Sequence, residues 1–240
     1  MNRPRCILFD FWNTIARSSL NHVGAMAAYL TAAEAPPGLT VEDVQEAAAE
    51  LYTAAKAGRE EAGWEVSREQ FDRHVAARLG LSFRHSREEL DRIFVRGALN
   101  PQVEPGSAAA LKELAEMRLK IGLLSNSVLS GVVMAEILEK LGLRQYFAFV
   151  MTSADYGFRK PQLQLFKTAL ALAGALPSET WFVGDGLSQD IAGAMNAGMF
   201  AVWYNPAGKA AEGYKPDLTL TFWEDLPAAV KRSYSVQSIK

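Results

Sequence analysis

The chain has 240 residues, of which 49% are hydrophobic, and a formal net charge of −2 at pH 7. This balance excludes a disordered chain and a surface charged for nucleic-acid binding. The single cysteine, Cys6, excludes an intrachain disulfide and a multi-cysteine zinc site. The length suits one large α/β domain or a core with a smaller insert.

No apolar run approaches the roughly 20 residues that are needed to span a bilayer. Only a few apolar residues lie between the N-terminus and Asp10, which is too short a run for a signal peptide. We therefore expect a cytoplasmic protein whose partner is neither a membrane nor a nucleic acid, and the sequence carries no signal for an oligomeric state.

The first predicted element is a short apolar strand at 6–9 that ends at Asp10. From 16 to 99 the chain is alanine-rich and charged, and the pattern predicts helices without a strand. Ser67 can cap one of these helices, and Pro36-Pro37-Gly38 ends another. The predicted helices of this segment span 22–33, 40–57, 67–79 and 86–94.

Strands and helices alternate in the remainder of the chain. The patterns predict helices at 105–117, 132–141, 162–173 and 191–196, and strands at 120–124, 147–152, 181–183, 200–203 and 218–222. Strands separated by helices of this length pair in parallel through right-handed crossovers. The predicted fold is therefore α/β, a doubly wound parallel sheet formed by residues 1–15 and 100–240, with an inserted all-helical domain at 16–99.

Polar side chains stand where predicted strands end. Asp10, Ser125 and Asp185 each directly follow an apolar strand. Because the carboxyl ends of parallel strands lie side by side at the edge where ligands bind, these three residues should meet. Lys160 lies in a loop after another strand, and Pro161, expected in the first turn of the next helix, should hold that loop.

The turn after the strand at 181–183 presents two carboxylates, Asp185 and Asp190. Gly184 allows the backbone to turn tightly at the end of the strand. Oxygen ligands of this kind, with Asp10 as a third carboxylate, suit Mg²⁺. The same two aspartates could instead only cap the helix that starts near residue 191.

Four motifs, in order along the chain, resemble those of the haloacid dehalogenase (HAD) superfamily across essentially the whole core. They are Asp10 to Thr14 after the first strand, Ser125-Asn126 after the second, Lys160-Pro161, and Gly184 to Asp190. The resemblance implies a Rossmann-like core. The segment 16–99, inserted between the first two motifs, resembles the C1 cap of that superfamily.

The resemblance also implies roles for the motif residues. Asp10 would be the nucleophile that attacks phosphorus, and Lys160 would neutralise the charge between it and the phosphate. Ser125, with the backbone around Asn126, would hydrogen-bond a phosphoryl oxygen, and Thr14 would orient the first loop. The implied substrate is a small phosphorylated molecule.

A Mg²⁺ site follows from the same resemblance. Asp185 would bind the ion with Asp10, and Asp190 would ligate it directly or through water. The backbone carbonyl of Trp12 would complete the protein ligands, and the indole of Trp12 could line the substrate pocket.

Trp12 departs from the family pattern. Family phosphatases have a second aspartate at this position, which protonates the leaving oxygen and then activates water, and an indole can do neither. Hydrolysis would then require a good leaving group, such as that of an acyl phosphate, or a replacement acid from the insert. Candidates for that acid are Glu60, Glu61 and Glu65.

Three other functions stay open on this sequence. Family dehalogenases carry an aromatic residue at the position of Trp12, but they lack the acidic pair that Asp185 and Asp190 form here. Phosphonate-cleaving members keep Mg²⁺ without the second aspartate and use a cap lysine to form a Schiff base, for which Lys56 is the only lysine in the insert. A low-activity or inactive protein that binds phosphate and metal is the third alternative.

Overall fold

A parallel sheet forms the centre of the protein, and the computed structural model describes residues 3–235. The strands are β1 (Cys6–Phe9), β2 (Ala16–Arg17), β3 (Gln102–Val103), β4 (Lys120–Ser125), β5 (Phe149–Thr152), β6 (Thr180–Gly184), β7 (Phe200–Tyr204) and β8 (Leu218–Leu220). Six of them form one sheet in the order β5-β4-β1-β6-β7-β8, and every neighbouring pair in it is parallel. This topology confirms the predicted doubly wound α/β fold.

The α-helices surround this sheet or form a separate unit beside it. They are α1 (His22–Ala32), α2 (Val41–Glu60), α3 (Arg68–Leu79), α4 (Arg87–Ala98), α5 (Ser107–Glu116), α6 (Gly131–Lys140), α7 (Ser153–Tyr156), α8 (Leu163–Ala173), α9 (Ala192–Asn196) and α10 (Asp225–Ser235). Helices α5, α6 and α10 pack on one face, and α8 and α9 pack on the other. Among residues 3–235, no helix combines the length and the apolar character needed to cross a membrane.

Strand β1 is an unbroken apolar run because both of its faces are covered. Ile7 and Phe9 belong to the hydrophobic cluster on one face of the sheet, whereas Cys6 and Leu8 belong to the cluster on the other. All four side chains are buried. Strand β1 is also the third of the six strands, so the residue that follows it, Asp10, lies near the middle of one sheet edge.

Helices α1 to α4 follow one another between β2 and β3. They contain a hydrophobic cluster of their own, with Tyr29 and Val44 at its centre. Helices α2, α3 and α4 each begin with a capping box, in which the N-cap side chain and the third helical residue exchange hydrogen bonds. The three N-cap residues are Thr40, Ser67 and Ser86.

Two local predictions were wrong. The segment 16–99 was expected to hold no strand, but β2 pairs antiparallel with β3 where the chain enters and leaves the helical segment. Two residues are too few for an alternating pattern to show. Pro161 was expected in the first turn of a helix, but α8 begins at Leu163 with Gln162 as its N-cap, so Pro161 lies in the preceding loop. The Lys160–Pro161 peptide bond is cis.

Candidate active site

The carboxyl ends of the central strands lie next to one another at one edge of the sheet. Strand β1 lies between β4 and β6, and its last residue, Phe9, is paired with Val183 of β6. The backbone N–H of Asp10 donates to the Val183 carbonyl at 2.9 Å. The sheet therefore brings together the strand ends that carry Asp10, Ser125 and Asp185.

Lys160 is buried at this edge and contacts two carboxylates at once. Its Nζ lies 2.5 Å from Oδ1 of Asp10 and 2.7 Å from Oδ1 of Asp190. The same ammonium is 5.3 Å from the centre of the Phe182 ring. A buried cation is tolerated here because carboxylates of opposite charge surround it.

Asp10, Asp185 and Asp190, called here the acidic triad, each place one carboxylate oxygen within 4.8 Å of the others. Burial raises the pKa of Asp10 to about 7, although the charge of Lys160 opposes this rise. Burial and the charge of Asp190 raise the pKa of Asp185 to about 6. Burial alone would lower the pKa of Lys160, but the charges of Asp10 and Asp190 outweigh burial and raise it above its ordinary value.

The acidic triad fits a hard divalent cation. Its ligand atoms are all carboxylate oxygens, which Mg²⁺ prefers in proteins. Three carboxylates share the single ammonium of Lys160, so the site has an excess of negative charge that a divalent ion would neutralise. Gly184 makes this close arrangement possible, because a Cβ at this position would lie 2.5 Å from the carboxyl carbon of Asp190.

The alternative that these aspartates only cap a helix does not match the structure. The N-cap of α9 is Ile191, which makes no side-chain cap hydrogen bond. Asp190 lies instead in the π-helical turn Leu187–Ile191, and its Oδ2 accepts a hydrogen bond from the N–H of Gly186 at 2.9 Å. The carboxylate thus stabilises its own loop and leaves Oδ1 to face Lys160.

Ser125 and Asn126 follow β4 at the same edge. Ser125 is fully buried, and its hydroxyl has no hydrogen-bond partner among the residues that the structure describes. Such a group costs free energy that a ligand oxygen would recover. Asn126 binds the backbone of Lys160 twice: its Nδ2 donates to the carbonyl at 3.1 Å, and its Oδ1 accepts from the N–H at 2.8 Å. Asn126 therefore braces the Lys160 loop.

Two tryptophans and a threonine lie at the same edge of the sheet. Thr14 is buried, and its Oγ1 lies 3.5 Å from Oδ1 of Asp185, a long hydrogen bond. Trp12 is half-buried and packs edge-on against Phe11, with the ring centres 4.6 Å apart. Trp203, which the sequence interpretation missed, donates from Nε1 to the backbone carbonyl of Asp185 at 2.9 Å. Trp203 lies near the end of β7, the strand next to β6, and this position in the sequence could have indicated that it belongs to the site.

A cavity of 440 Å³ lies against Lys160, between α2 and the sheet edge. One face of α2 lines it with Tyr52, Lys56, Arg59 and Glu60, and the core lines it with Arg159, Lys160, Pro161, Ser188 and Gln189. Of the three predicted replacement acids, Glu60 lines this cavity, whereas Glu61 and Glu65 do not. A second, mostly apolar cavity of 570 Å³ shares Tyr52 and Arg59 with the first.

Glu65 has a fully buried side chain with partners on both oxygens. Its Oε2 accepts from the hydroxyl of Ser153 at 2.6 Å and lies 2.5 Å from Nη1 of Arg159. Its Oε1 lies 3.2 Å from Nη2 of Arg59. We call these four residues the Glu65 latch. Because both oxygens are engaged, Glu65 is unsuited to replace the missing acid.

The family of the chain follows from a comparison with known proteins. A family model described as haloacid dehalogenase-like hydrolase matches residues 4–198. The match includes all four strand-end motifs and most of the parallel sheet. The chain belongs to the haloacid dehalogenase-like hydrolase family.

Curated relatives of this chain include two phosphatases. The chain is 34% identical over 108 residues to a glyceraldehyde 3-phosphate phosphatase of Methanothermobacter thermautotrophicus, an alignment that covers 45% of this chain and 47% of the relative. It is 36% identical over 115 residues to a phosphoserine phosphatase of Thermus thermophilus, covering 48% of this chain and 45% of the relative. The aligned part of the chain spans about half the length of these relatives.

Solved structures resemble the chain over nearly its whole length. A 2-haloacid dehalogenase from Pseudomonas syringae aligns with a TM-score of 0.63 and 25% identity, covering 97% of this chain and 99% of that one. A HAD phosphatase from Thermococcus onnurineus aligns with a TM-score of 0.64 and 22% identity, covering 96% and 98%. The second likeness shows the fold alone.

Proposed function

We propose that the protein is a Mg²⁺-dependent phosphatase that acts on a small phosphorylated compound through Asp10. The observation that carries this proposal is the buried contact between Lys160 and Asp10 beside two further carboxylates. One edge of the sheet thereby holds a nucleophile, a cation for the transferred phosphoryl group and a set of metal ligands. The phosphatase names of the curated relatives support the same reaction class.

The reaction would proceed in two displacements at phosphorus. In the first, an oxygen of Asp10 attacks and the bond to the leaving oxygen breaks, so the phosphoryl group becomes bound to Asp10. Lys160 reduces the repulsion between the two anions, and the free hydroxyl of Ser125 would donate to a phosphoryl oxygen. In the second, water attacks phosphorus, the bond to Asp10 breaks, and inorganic phosphate leaves with the carboxylate restored.

Asp10, Asp185 and Asp190 would hold the ion, with the backbone carbonyl of Trp12 as a further protein ligand. When bound, Mg²⁺ would neutralise phosphoryl charge and orient the phosphate oxygens. Thr14 would keep the first loop beside Asp185, as its hydroxyl contact with that carboxylate suggests.

We infer that residues 16–99 form a C1-type cap on a core made of 1–15 and 100–240. The separate hydrophobic cluster of α1–α4 supports this division. The cavity between α2 and Lys160 supports it as well, because a cap at this position would exclude water and contact the leaving group.

Trp12 limits the choice of substrate, because it cannot supply the proton that a poor leaving group needs. One solution is a substrate such as an acyl phosphate, whose leaving group needs little protonation. The other is a replacement acid, and Glu60 is the candidate that lines the cavity beside Lys160. A Glu60→Gln variant that loses turnover of alkyl phosphates but keeps turnover of acetyl phosphate would assign the acid to Glu60. Unchanged turnover of both substrates would leave the good leaving group as the explanation.

Two alternatives each have an observation in their favour. The dehalogenase from Pseudomonas syringae aligns over nearly the whole chain, although family dehalogenases lack the acidic pair that Asp185 and Asp190 form here. Lys56 lines the cavity beside Lys160, where a Schiff-base lysine of a phosphonate hydrolase would be needed. The acidic triad together with the unpartnered hydroxyl of Ser125 favours the phosphatase.

One set of assays separates these functions. Acetyl phosphate, p-nitrophenyl phosphate, a 2-haloacid and an aldehyde-bearing phosphonate are each tested with Mg²⁺ and with a chelator. We expect metal-dependent phosphate release from the first two substrates. Halide release without metal would identify a dehalogenase, and phosphonate cleavage that Lys56→Arg abolishes would identify a phosphonate hydrolase. Binding of phosphate and Mg²⁺ without any turnover would identify a binding protein.

A further inference from the structure

Two loops from different parts of the chain lie side by side just before Lys160. One is the loop between α2 and α3, and the other is the loop that precedes α8. The N–H of Glu65 donates to the Gly157 carbonyl at 2.9 Å, and the N–H of Arg159 donates to the Gly63 carbonyl at 2.7 Å. The helical segment and the sheet domain are therefore joined by two backbone hydrogen bonds, one of them made by Arg159, the residue directly before Lys160.

The Glu65 latch lies at this junction. The Glu65 side chain has no exposed surface, while 15% of the Arg59 side chain and 16% of the Arg159 side chain are exposed. Ser153, at the start of α7, supplies a third donor to the carboxylate. A buried carboxylate with this many partners is hard to displace, because its removal leaves buried cations without a counter-charge.

Arg159 and Lys160 are neighbours that point to different carboxylates. Arg159 reaches Glu65 of the helical segment, and Lys160 reaches Asp10 of the sheet edge. Asn126 holds the backbone of Lys160 from the core side. The Lys160 backbone is thus held by two hydrogen bonds from the core, and the backbone and side chain of its neighbour Arg159 are held by the helical segment.

We propose that Glu65 is a positioning residue, which holds Arg159 and thereby keeps Lys160 against Asp10 when the helical segment is seated on the core. The kinetic consequence rests on the proposed phosphatase function, whereas the structural consequence does not. Glu65 couples the seating of the cap to the charge that the nucleophile experiences.

A second ion pair provides a matched control. Arg92 of α4 binds Glu136 of α6 through two nitrogens, with distances of 2.7 and 2.9 Å, and so also joins the helical segment to the core. About a third of each of these side chains is exposed, and neither residue lines the cavity beside Lys160. Loss of this pair removes one contact between the helical segment and the core without touching the Lys160 loop.

The kinetic test compares Glu65→Gln with Arg92→Gln, below the unfolding transition of both. We expect Glu65→Gln to lower kcat on acetyl phosphate by about tenfold to a hundredfold, because a displacement of about 1 Å in a catalytic group has effects of this size. KM should change less than kcat, and Glu65→Asp should recover part of the loss. Arg92→Gln should leave kcat and KM unchanged. An unchanged kcat in Glu65→Gln, with only a lower Tm, would overturn the proposal.

Hydrogen exchange gives a test that does not depend on activity. The amides of Arg159 and Lys160 are both hydrogen-bonded. They should exchange at least about tenfold faster in Glu65→Gln and keep their protection in Arg92→Gln. Arg159→Lys serves as the second variant if Glu65→Gln does not fold. Unchanged protection in a folded variant contradicts the positioning role. A wild-type protein without phosphatase turnover contradicts the proposed function, and the exchange result still decides the role of Glu65.

Discussion

The acidic triad and the Glu65 latch are two buried ion clusters that meet at consecutive residues, Lys160 and Arg159, and their charge balances are opposite. In the triad, three carboxylates share one ammonium within hydrogen-bonding range of two of them. In the latch, one carboxylate has two guanidinium groups and a hydroxyl. In the triad, carboxylates outnumber cations, whereas in the latch the cations outnumber the carboxylate.

This difference distinguishes a cluster that needs a bound cation from a cluster whose charged groups already have partners. The raised pKa values of Asp10, about 7, and Asp185, about 6, show that burial makes the ionised triad unfavourable as it stands. A divalent cation would reverse that penalty. The Glu65 latch needs no further ion, because its carboxylate is already surrounded by donors from both loops. The contrast therefore supports the chemistry proposed for the triad and the positioning role proposed for Glu65.

The largest effect should come from Asp10→Asn. An amide cannot form the covalent intermediate, so kcat on acetyl phosphate should fall by a factor on the order of 10⁴ or more, as for other lost nucleophiles. Circular dichroism should show an unchanged fold. Full activity in this variant would show that Asp10 is not the nucleophile. The acidic triad would then not be the site of the proposed reaction.

Lys160→Met and Arg159→Met break the two clusters separately. Arg159→Met should lower the free energy of unfolding by about 3 kcal/mol, because it breaks a buried ion pair while Arg59 remains beside Glu65. Lys160→Met removes the ammonium that contacts two of the three carboxylates, so it should also destabilise the metal-free protein. Thermal unfolding with and without Mg²⁺ measures the loss of stability in each of the two variants.

Addition of Mg²⁺ should distinguish these variants. The ion supplies positive charge to the triad, so Mg²⁺ should raise the Tm of Lys160→Met more than that of the wild type. The Tm of Arg159→Met should rise only as much as that of the wild type, because the ion does not reach Glu65. Equal responses in the two variants would show that the charge of Lys160 does not offset the negative charge of the triad.

The sequence predicted the triad better than the latch for a physical reason. Each triad residue follows or lies near the end of a strand that is buried on both faces, and such strands are visible as apolar runs. The register of parallel strands then brings their carboxyl ends together. Position along one strand was therefore sufficient to place Asp10 beside Asp185.

The latch depends on contacts between distant loops that have no periodic pattern. Glu65 and Arg159 are 94 residues apart. Arg59 begins a charged run at 59–61, yet its side chain turns inward onto Glu65. The same limit explains the missed strand β2, which has two residues, and the missed contact of Trp203 with the Asp185 backbone.

Helix α10 was also missed, although its sequence carries a visible pattern. Leu226 and Val230 have the spacing of a buried helix face.

Trp12→Asp tests whether the triad lacks only a general acid. The new carboxyl group should raise kcat on an alkyl phosphate by about 10²-fold, the lower range for acid–base catalysis. Acetyl phosphate should gain little, because its leaving group needs little protonation. Trp12→Asn is the matched control, since it makes the same loss of packing against Phe11 without a titrating group. Equal rates in the aspartate and asparagine variants would contradict this account of position 12.

The last expected effect is a pH dependence of stability in the metal-free protein. In the unfolded chain, Asp10 and Asp185 lose their protons near 3.8, whereas in the folded protein they lose them near 7 and 6. Between these limits the folded state binds more protons, so the free energy of unfolding should fall as the pH rises from about 4 to about 7. Denaturant titrations at several pH values measure this slope.

A variant isolates the contribution of the triad to that slope. Asp72 of α3, whose pKa burial also raises to about 6, adds a fall of the same sign. Asp185→Asn should make the slope shallower while leaving the part due to Asp72. Saturating Mg²⁺ should have a similar effect on the wild-type protein, because the bound ion keeps the triad ionised throughout this pH range. If neither change alters the slope, the negative charge of the triad is not what makes the folded protein sensitive to pH.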